Sequence, residues 1–128
     1  IKKRLKISDL KNKKKDMEEG IKYRRYLIER KYQVYVGKDS ASNDKLTLRF
    51  AKQNDYWFHA RGLPGSHVVL RVENSKEVIP KNILKKAASI AAFYSKGKTA
   101  KLVPVSYTFR KFVHKKKGME PGKVLLTK

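Results

Sequence analysis

Two histidines and two acids near the middle of the chain are the residues whose types best suit catalysis. His59 and His67 flank a turn rich in Gly and Pro, so two strands joined by that turn would bring the imidazoles face to face. With Asp55 and Asp44 they would supply the donors of a metal site or an acid–base pair. The pattern offers no i, i+4 histidine pair and no assured third ligand. We therefore expect hydrogen bonds or phosphate contacts here, with no catalytic residue, no metal and no cofactor.

Binding is the chemistry that the other residue types favour. The sequence has no Walker loop, dinucleotide fingerprint or acid–base carboxylate pair, and it has no cysteine to act as nucleophile or zinc ligand. Aromatic residues could stack on unpaired bases if their rings are exposed. Strand alternation puts Trp57 and His59 on one face and Tyr56 and Phe58 on the other.

The charge balance indicates a polyanionic partner. Lys and Arg number 33 against 11 Asp and Glu, which gives a net charge of +22 and a pI near 10.3. Self-repulsion on that scale opposes compaction unless a polyanion offsets it. No apolar run is long enough to span a bilayer, and no long amphipathic helix or signal peptide is visible, so we expect nucleic acid and no membrane. The hydrophobic fraction of 40% is typical of a folded domain.

A hairpin must position the central histidines. The pattern predicts strands over 56–61 and 67–72, because these runs are rich in aromatic and β-branched residues. Gly62, Pro64 and Gly65 supply the positive or fixed φ that the connecting turn needs.

A second hairpin is predicted before it, over 23–36, with its turn near Arg30. Residues 38–44 then read as a polar loop of turn-forming residues. Asn43 would cap a short helix over 45–52, and a strand there is nearly as good an interpretation.

The clearest predicted helix starts at Pro80 and stops at Gly97. Its apolar residues recur at helical spacing, so one face should pack on the sheet. That face comprises Ile83, Ala87, Ile90, Ala91 and Tyr94.

The last part of the chain is predicted to be a strand, a basic loop and a strand. Residues 103–113 are rich in β-formers, with Pro104 at a strand start or edge. A protruding basic loop over 114–122 contains three successive lysines as candidate phosphate contacts, and a solvated charge run without a partner is the alternative. A final strand covers 123–126.

These elements predict an α+β fold with a mixed or antiparallel sheet, one long packed helix and short helices. Residues 1–19 are rich in helix formers and would be a helical extension or the end of a coiled coil. Residues 20–128 would form a single domain that binds nucleic acid.

Several motifs in the same order resemble the NFACT-R domain, the RNA-binding domain of the NEMF, FbpA, Caliban and RqcH proteins, which also occurs as a standalone protein. The resemblance covers about residues 23 to 127. The motifs are Asn43-Asp44-x-Leu46-Thr47, Asp55-x-Trp57-Phe58-His59, Pro64-Gly65-Ser66-His67-Val68-Val69, Ala87-Ala88 through Tyr94-Ser95, Val103-Pro104-Val105-x-Tyr107-Thr108 and Pro121-Gly122-x-Val124.

The resemblance implies an α+β domain that binds tRNA and the large ribosomal subunit during ribosome-associated quality control of stalled nascent chains. It implies a cytoplasmic, ribosome-associated protein, and a coiled-coil segment as a further candidate partner. From charge, position and resemblance together, we expect these residues to contact RNA: Lys38, Asn43, His59, Arg61, Ser66, His67, Arg71, Lys111, Lys115, Lys116 and Lys117.

Two other functions stay open at this point. One is an RNA-processing or RNA-modifying enzyme that uses His59, His67 and Asp55. The other is a protein-interaction module whose charge serves only solubility.

Overall fold

A five-stranded antiparallel sheet is the centre of the computed structural model, which describes residues 17–97, 99 and 102–127. The sheet order is β1–β2–β4–β3–β5. The strands are β1 (Tyr23–Ile28), β2 (Tyr32–Gly37), β3 (Tyr56–Ala60), β4 (Val68–Leu70) and β5 (Val105–Phe109). The predicted α+β class is confirmed, and the sheet is antiparallel throughout.

Both predicted hairpins are present. In the central one, Trp57 pairs with Val69 and Phe58 with Val68, and each strand is shorter than predicted. In the first one, Glu29 and Arg30 have φ of 51° and 57°. Positive φ at both central positions is typical of the type I′ turns that close hairpins.

The segment between the hairpins differs from the sequence prediction. Helix α1 (Ser40–Lys45) occupies most of the predicted loop 38–44, and a π-helix (Leu46–Phe50) continues it. The cap is Asp39, whose carboxylate accepts the backbone N–H of Ser42 at 2.7 Å. The Asn43 cap and the alternative strand are therefore wrong. Asn43 is buried inside the helix, where it contacts the central hairpin.

Helix α2 (Lys81–Phe93) confirms the main helical prediction. Ile83, Ala87 and Ala91 lie one turn apart and are buried against the sheet. The helix ends before the predicted Gly97, because the residues that follow bond the central hairpin loop. The backbone N–H of Ser66 donates to the Tyr94 carbonyl at 3.0 Å. This carbonyl therefore bonds the hairpin loop instead of a further turn of helix.

Each face of the sheet has its own core. On the α2 side lie Val34, Val36, Phe58, Val68 and Leu70. On the opposite side, Trp57 and Val69 pack with residues of the π-helix and the C-terminal segment: Leu46, Phe50 and Val113. Alternation along β3 thus separated Trp57 from Phe58 as predicted, but both rings are buried.

The predicted strand over 103–113 is divided by a 3₁₀ turn (Arg110–Phe112). After it, β6 (Val113–His114) pairs with β7 (Leu125–Leu126) in a separate two-stranded sheet. Most of the predicted extension, 1–19, lies outside the described residues. Within the described part of the chain, no helix is long and apolar enough to cross a membrane.

Candidate nucleic-acid interface

The loop of the central hairpin lies between two concave surfaces. On one side is a cavity of about 570 Å³, here called the histidine cavity. Its walls include Trp57, His59, His67, Arg61 and Lys123, as well as Leu63, Ser106, Val124 and Leu126. On the other side is a cleft of about 630 Å³, here called the cationic cleft. Its walls include Arg24, Lys38, Asp39, Ser66, Phe93, Tyr94 and Lys96.

The two histidines meet in the histidine cavity, as strand alternation predicted. The His59 ring is nearly parallel to that of Trp57, with centroids 5.8 Å apart and 7° between the planes. The His67 ring is perpendicular to His59, with centroids 5.4 Å apart. The cavity therefore has an aromatic wall in which only His59 is partly exposed.

His67 is held as a neutral imidazole. Its Nδ1 lies 2.8 Å from Thr47 Oγ1 and its Nε2 lies 2.9 Å from the Gly122 carbonyl oxygen. Because a carbonyl only accepts, Nε2 carries the proton and the Thr47 hydroxyl donates to Nδ1. Burial lowers the pKa of His67 to about 4, and burial also lowers the pKa of His59. Near pH 7 neither ring supplies a cation.

Asp55 does not join the histidines. Its carboxylate lies 3.0 Å from Arg71 Nε and accepts the backbone N–H groups of Lys52 and Val72. Burial raises the pKa of Asp55, while these donors and the guanidinium oppose the rise. Among the described residues, no group of three or more His, Cys, Asp or Glu side chains could hold a metal ion. The geometry gives the enzyme alternative no specific support.

Arg71 and Asn43 organise the fold from inside. Arg71 is 8% exposed, its guanidinium lies over the Phe50 ring, and its Nη2 donates to the Phe50 carbonyl. Asn43 Oδ1 accepts the backbone N–H of His67 at 3.1 Å. A Cβ added to Gly37 would lie 1.9 Å from that oxygen, so this close approach requires glycine. Arg71 thus supports the hairpin from inside, whereas Asn43 supports it and also lines both concave surfaces.

The C-terminal lysines have two kinds of environment. Lys115 Nζ lies 3.0 Å from Asp44 Oδ2 and donates to the carbonyls of Lys123, at 2.9 Å, and Glu120. The predicted basic loop is thus fastened to α1 at this lysine. Lys116 and Lys117 are exposed beyond that point.

The remaining expected contacts lie at the surface. Arg61 is exposed at the rim of the histidine cavity, where its Nε donates to Ser106 Oγ at 3.2 Å. Lys111 is exposed beside two rings, with Nζ 5.3 Å from the Phe109 centroid and 5.4 Å from that of Phe112. Ser66 and Lys38 line the cationic cleft.

The cationic cleft gathers three exposed cations that are distant in sequence. Arg24 comes from β1, Lys38 follows β2, and Lys96 follows α2. None of the three has a carboxylate within ion-pair distance in the described part of the chain. Sequence reasoning missed Arg24 and Lys96, because only the folded topology brings them to Lys38.

The Asp39 carboxylate in the same cleft is engaged by its own helix. It accepts the N–H of Ser42, and this bond lowers the pKa of Asp39. The Arg24 guanidinium lies 5.3 Å from the centroid of the Tyr94 ring. The cleft thus combines cations with aromatic surface.

A basic α+β domain with unpaired cations around concave surfaces has the features of a nucleic-acid-binding domain. Residues 22–128 match the family model described as the NFACT protein RNA binding domain. The chain therefore belongs to the NFACT-R family of RNA-binding domains, which confirms the resemblance found in the sequence.

Relatives and a solved structure agree with this assignment. The Rqc2 homolog RqcH of Bacillus subtilis is 42% identical over 89 residues, covering 70% of this chain and 15% of that protein. The coiled-coil domain-containing protein 25 homolog of Dictyostelium discoideum is 33% identical, covering 77% of this chain and 49% of that protein.

The solved C-terminal part of the fibronectin/fibrinogen-binding protein from Streptococcus suis has a TM-score of 0.77 at 34% identity, covering 88% of this chain and 44% of that one. The chain spans less than half the length of each of these proteins.

Proposed function

We propose that this domain binds tRNA or large-subunit ribosomal RNA during ribosome-associated quality control, as part of a cytoplasmic, ribosome-associated protein. The family model that the chain matches is described as an RNA binding domain. A further relative is the ribosome quality control complex subunit NEMF homolog of Drosophila melanogaster, 30% identical over 64% of this chain and 8% of that protein. These likenesses support RNA as the ligand and ribosome-associated quality control as the process.

The cationic cleft is the observation that carries the proposal. Arg24, Lys38 and Lys96 converge on one concave surface without carboxylate partners among the described residues. Such a cluster is unfavourable by itself and is relieved by phosphate groups. The exposed ring of Phe93 adds a surface on which a base could stack. Lys111, Lys116 and Lys117 remain candidate phosphate contacts outside the cleft.

Replacing the three cleft cations tests the proposal. In the Arg24→Ala/Lys38→Ala/Lys96→Ala variant, we expect tRNA affinity near 0.1 M salt to fall by at least about tenfold. The slope of log affinity against log salt concentration should become shallower by about two to three, because each lost phosphate contact removes about 0.7 to 0.9. Fluorescence anisotropy with labelled tRNA over a salt series measures both quantities.

The matched control is Lys76→Ala/Lys81→Ala/Lys85→Ala, which removes the same charge from exposed positions that line neither concave surface. Equal weakening in the control would show that the cleft is not the site. Wild-type binding that is undetectable at low salt, or unaffected by salt, would contradict RNA binding itself. Sedimentation with isolated large ribosomal subunits then distinguishes ribosomal RNA from free tRNA as the target.

A further inference from the structure

We propose that the histidine cavity binds one unpaired nucleobase of the RNA, an inference that rests on the proposed RNA-binding function. The cavity adjoins the cationic cleft, and Pro64 and Gly65 of the hairpin loop line both. Its shape, its neutral interior and its charged rim each favour this ligand.

The walls suit a flat, largely apolar group. The volume of about 570 Å³ lies in the range of small-molecule sites. One wall is the partly exposed His59 ring, which Trp57 backs in a nearly parallel arrangement. Apolar side chains of Leu63, Val124 and Leu126 complete the lining. A base inserted beside His59 would stack on a ring that is already held in place.

The interior is polar without being charged. His67 and its partners form a neutral network. The indole Nε1 of Trp57 is buried and has no hydrogen-bond partner among the described residues. Buried N–H groups are usually paired, and Trp57 lines the cavity, so this donor is one that a ligand acceptor could satisfy. A nucleobase carries such acceptors on its edges.

Charge at the rim distinguishes a nucleotide from other flat ligands. Arg61 and Lys123 are exposed cations among the lining residues, and that lining contains no carboxylate. A free anion would need cations inside the cavity, where the two imidazoles are neutral. A nucleotide whose base lies inside the cavity and whose phosphate lies at the rim matches both the neutral interior and the cationic rim.

The first test compares two RNAs on the unaltered protein. One is a hairpin with a single-stranded 3′ overhang, and the other is identical except that the overhang nucleotides are abasic. We expect the abasic RNA to bind about tenfold more weakly, because it lacks the base that would stack on His59. Trp57 is the only tryptophan of the chain, so its emission should be quenched by the intact RNA and not by the abasic one.

The second test uses variants. His59→Ala should reduce affinity for the intact RNA to that for the abasic RNA, without further loss for the abasic RNA. His114→Ala is the matched control, since His114 is exposed on β6 and does not line the cavity. It should leave the difference between the two RNAs unchanged.

The outcomes separate this inference from the proposed function. If both RNAs bind equally well, with unchanged Trp57 emission and normal salt dependence, the nucleobase site is contradicted and RNA binding stands. If neither RNA binds at low salt, the proposed function fails and the inference fails with it.

Discussion

At the scale of residues, Asp55 and Arg71 form an ion pair in the interior of the domain. Both side chains are buried, and the guanidinium lies between the Asp55 carboxylate and the Phe50 ring. An uncompensated buried charge is far more destabilising than a broken surface pair. The pair therefore contributes to the stability of the fold.

Asp55→Ala should lower the free energy of unfolding by about 3 to 5 kcal/mol, because it leaves Arg71 buried without its counter-ion. Urea unfolding followed by Trp57 fluorescence measures the loss. The control is Glu77→Ala, which breaks the partly exposed pair with Lys31 and should cost less than about 1 kcal/mol. Similar small losses in both variants would contradict a structural role for Asp55.

Residue-level prediction from sequence worked where a local pattern was enough. Period-two alternation and a Gly/Pro turn sufficed to bring His59 and His67 together. The same patterns gave no means of knowing that Arg71 and Lys115 have carboxylate partners, since Asp55 and Asp44 are distant in sequence. We expected RNA contacts at both cations, and the structure places both in ion pairs.

At the scale of elements, His67 joins the central hairpin to its two neighbours on the Trp57 face. Its ring bonds Thr47 in the π-helix and the carbonyl of Gly122 in the C-terminal segment. A second proton would force both ring nitrogens to donate and would break the Thr47 bond as it stands. The packing of these elements is consequently sensitive to pH.

Stability should fall as the pH drops below the ordinary histidine value. The folded-state pKa of His67 is lowered to about 4 from 6.5, so protons bind the unfolded chain first. The contribution is complete well above pH 6.5 and is lost progressively as the pH falls through 6.5 towards 4. Between pH 7.5 and 5 we expect a loss of about 2 kcal/mol, measured by urea unfolding at each pH.

His67→Gln should flatten this pH profile, although the variant is less stable throughout. The lowered pKa of His59 acts in the same direction and leaves a residual slope. An unchanged slope in the variant would contradict the assignment of the titration to His67.

Element boundaries were the weaker part of the sequence prediction, for physical reasons that are local to each case. Asp39 and Asn43 are both good capping residues, and burial of Asn43 against His67 decides between them. Helix α2 stops at Phe93 because Ser95 bridges to Gly65, a contact across the fold. Tertiary contacts therefore set both boundaries.

At the scale of the whole molecule, repulsion between cations opposes the fold. The net charge is +22, and the described residues contain five ion pairs that offset only part of it. Composition was enough to predict a polyanionic partner. The convergence of Arg24, Lys38 and Lys96 could not be predicted, because it depends on the strand order β1–β2–β4–β3–β5.

Salt should stabilise the free protein, because it screens like charges that outnumber the attractive pairs. We expect the thermal midpoint to rise between 20 mM and 500 mM NaCl, as measured by circular dichroism. The rise should be smaller in the Arg24→Ala/Lys38→Ala/Lys96→Ala variant, which has less repulsion to screen. A midpoint that falls with added salt would show that ion pairs outweigh repulsion.

The hairpin loop has a consequence for how the two concave surfaces act together. Pro64 and Gly65 line both of them, and Gly65 is fastened to Ser95 beside Lys96. A ligand that displaces this shared wall on one side changes the shape of the other side. Thermodynamic linkage makes such an effect reciprocal, so occupancy of either surface would alter affinity at the other by the same factor. The affinity of one RNA that reaches both surfaces would then differ from the product of its affinities for each surface alone.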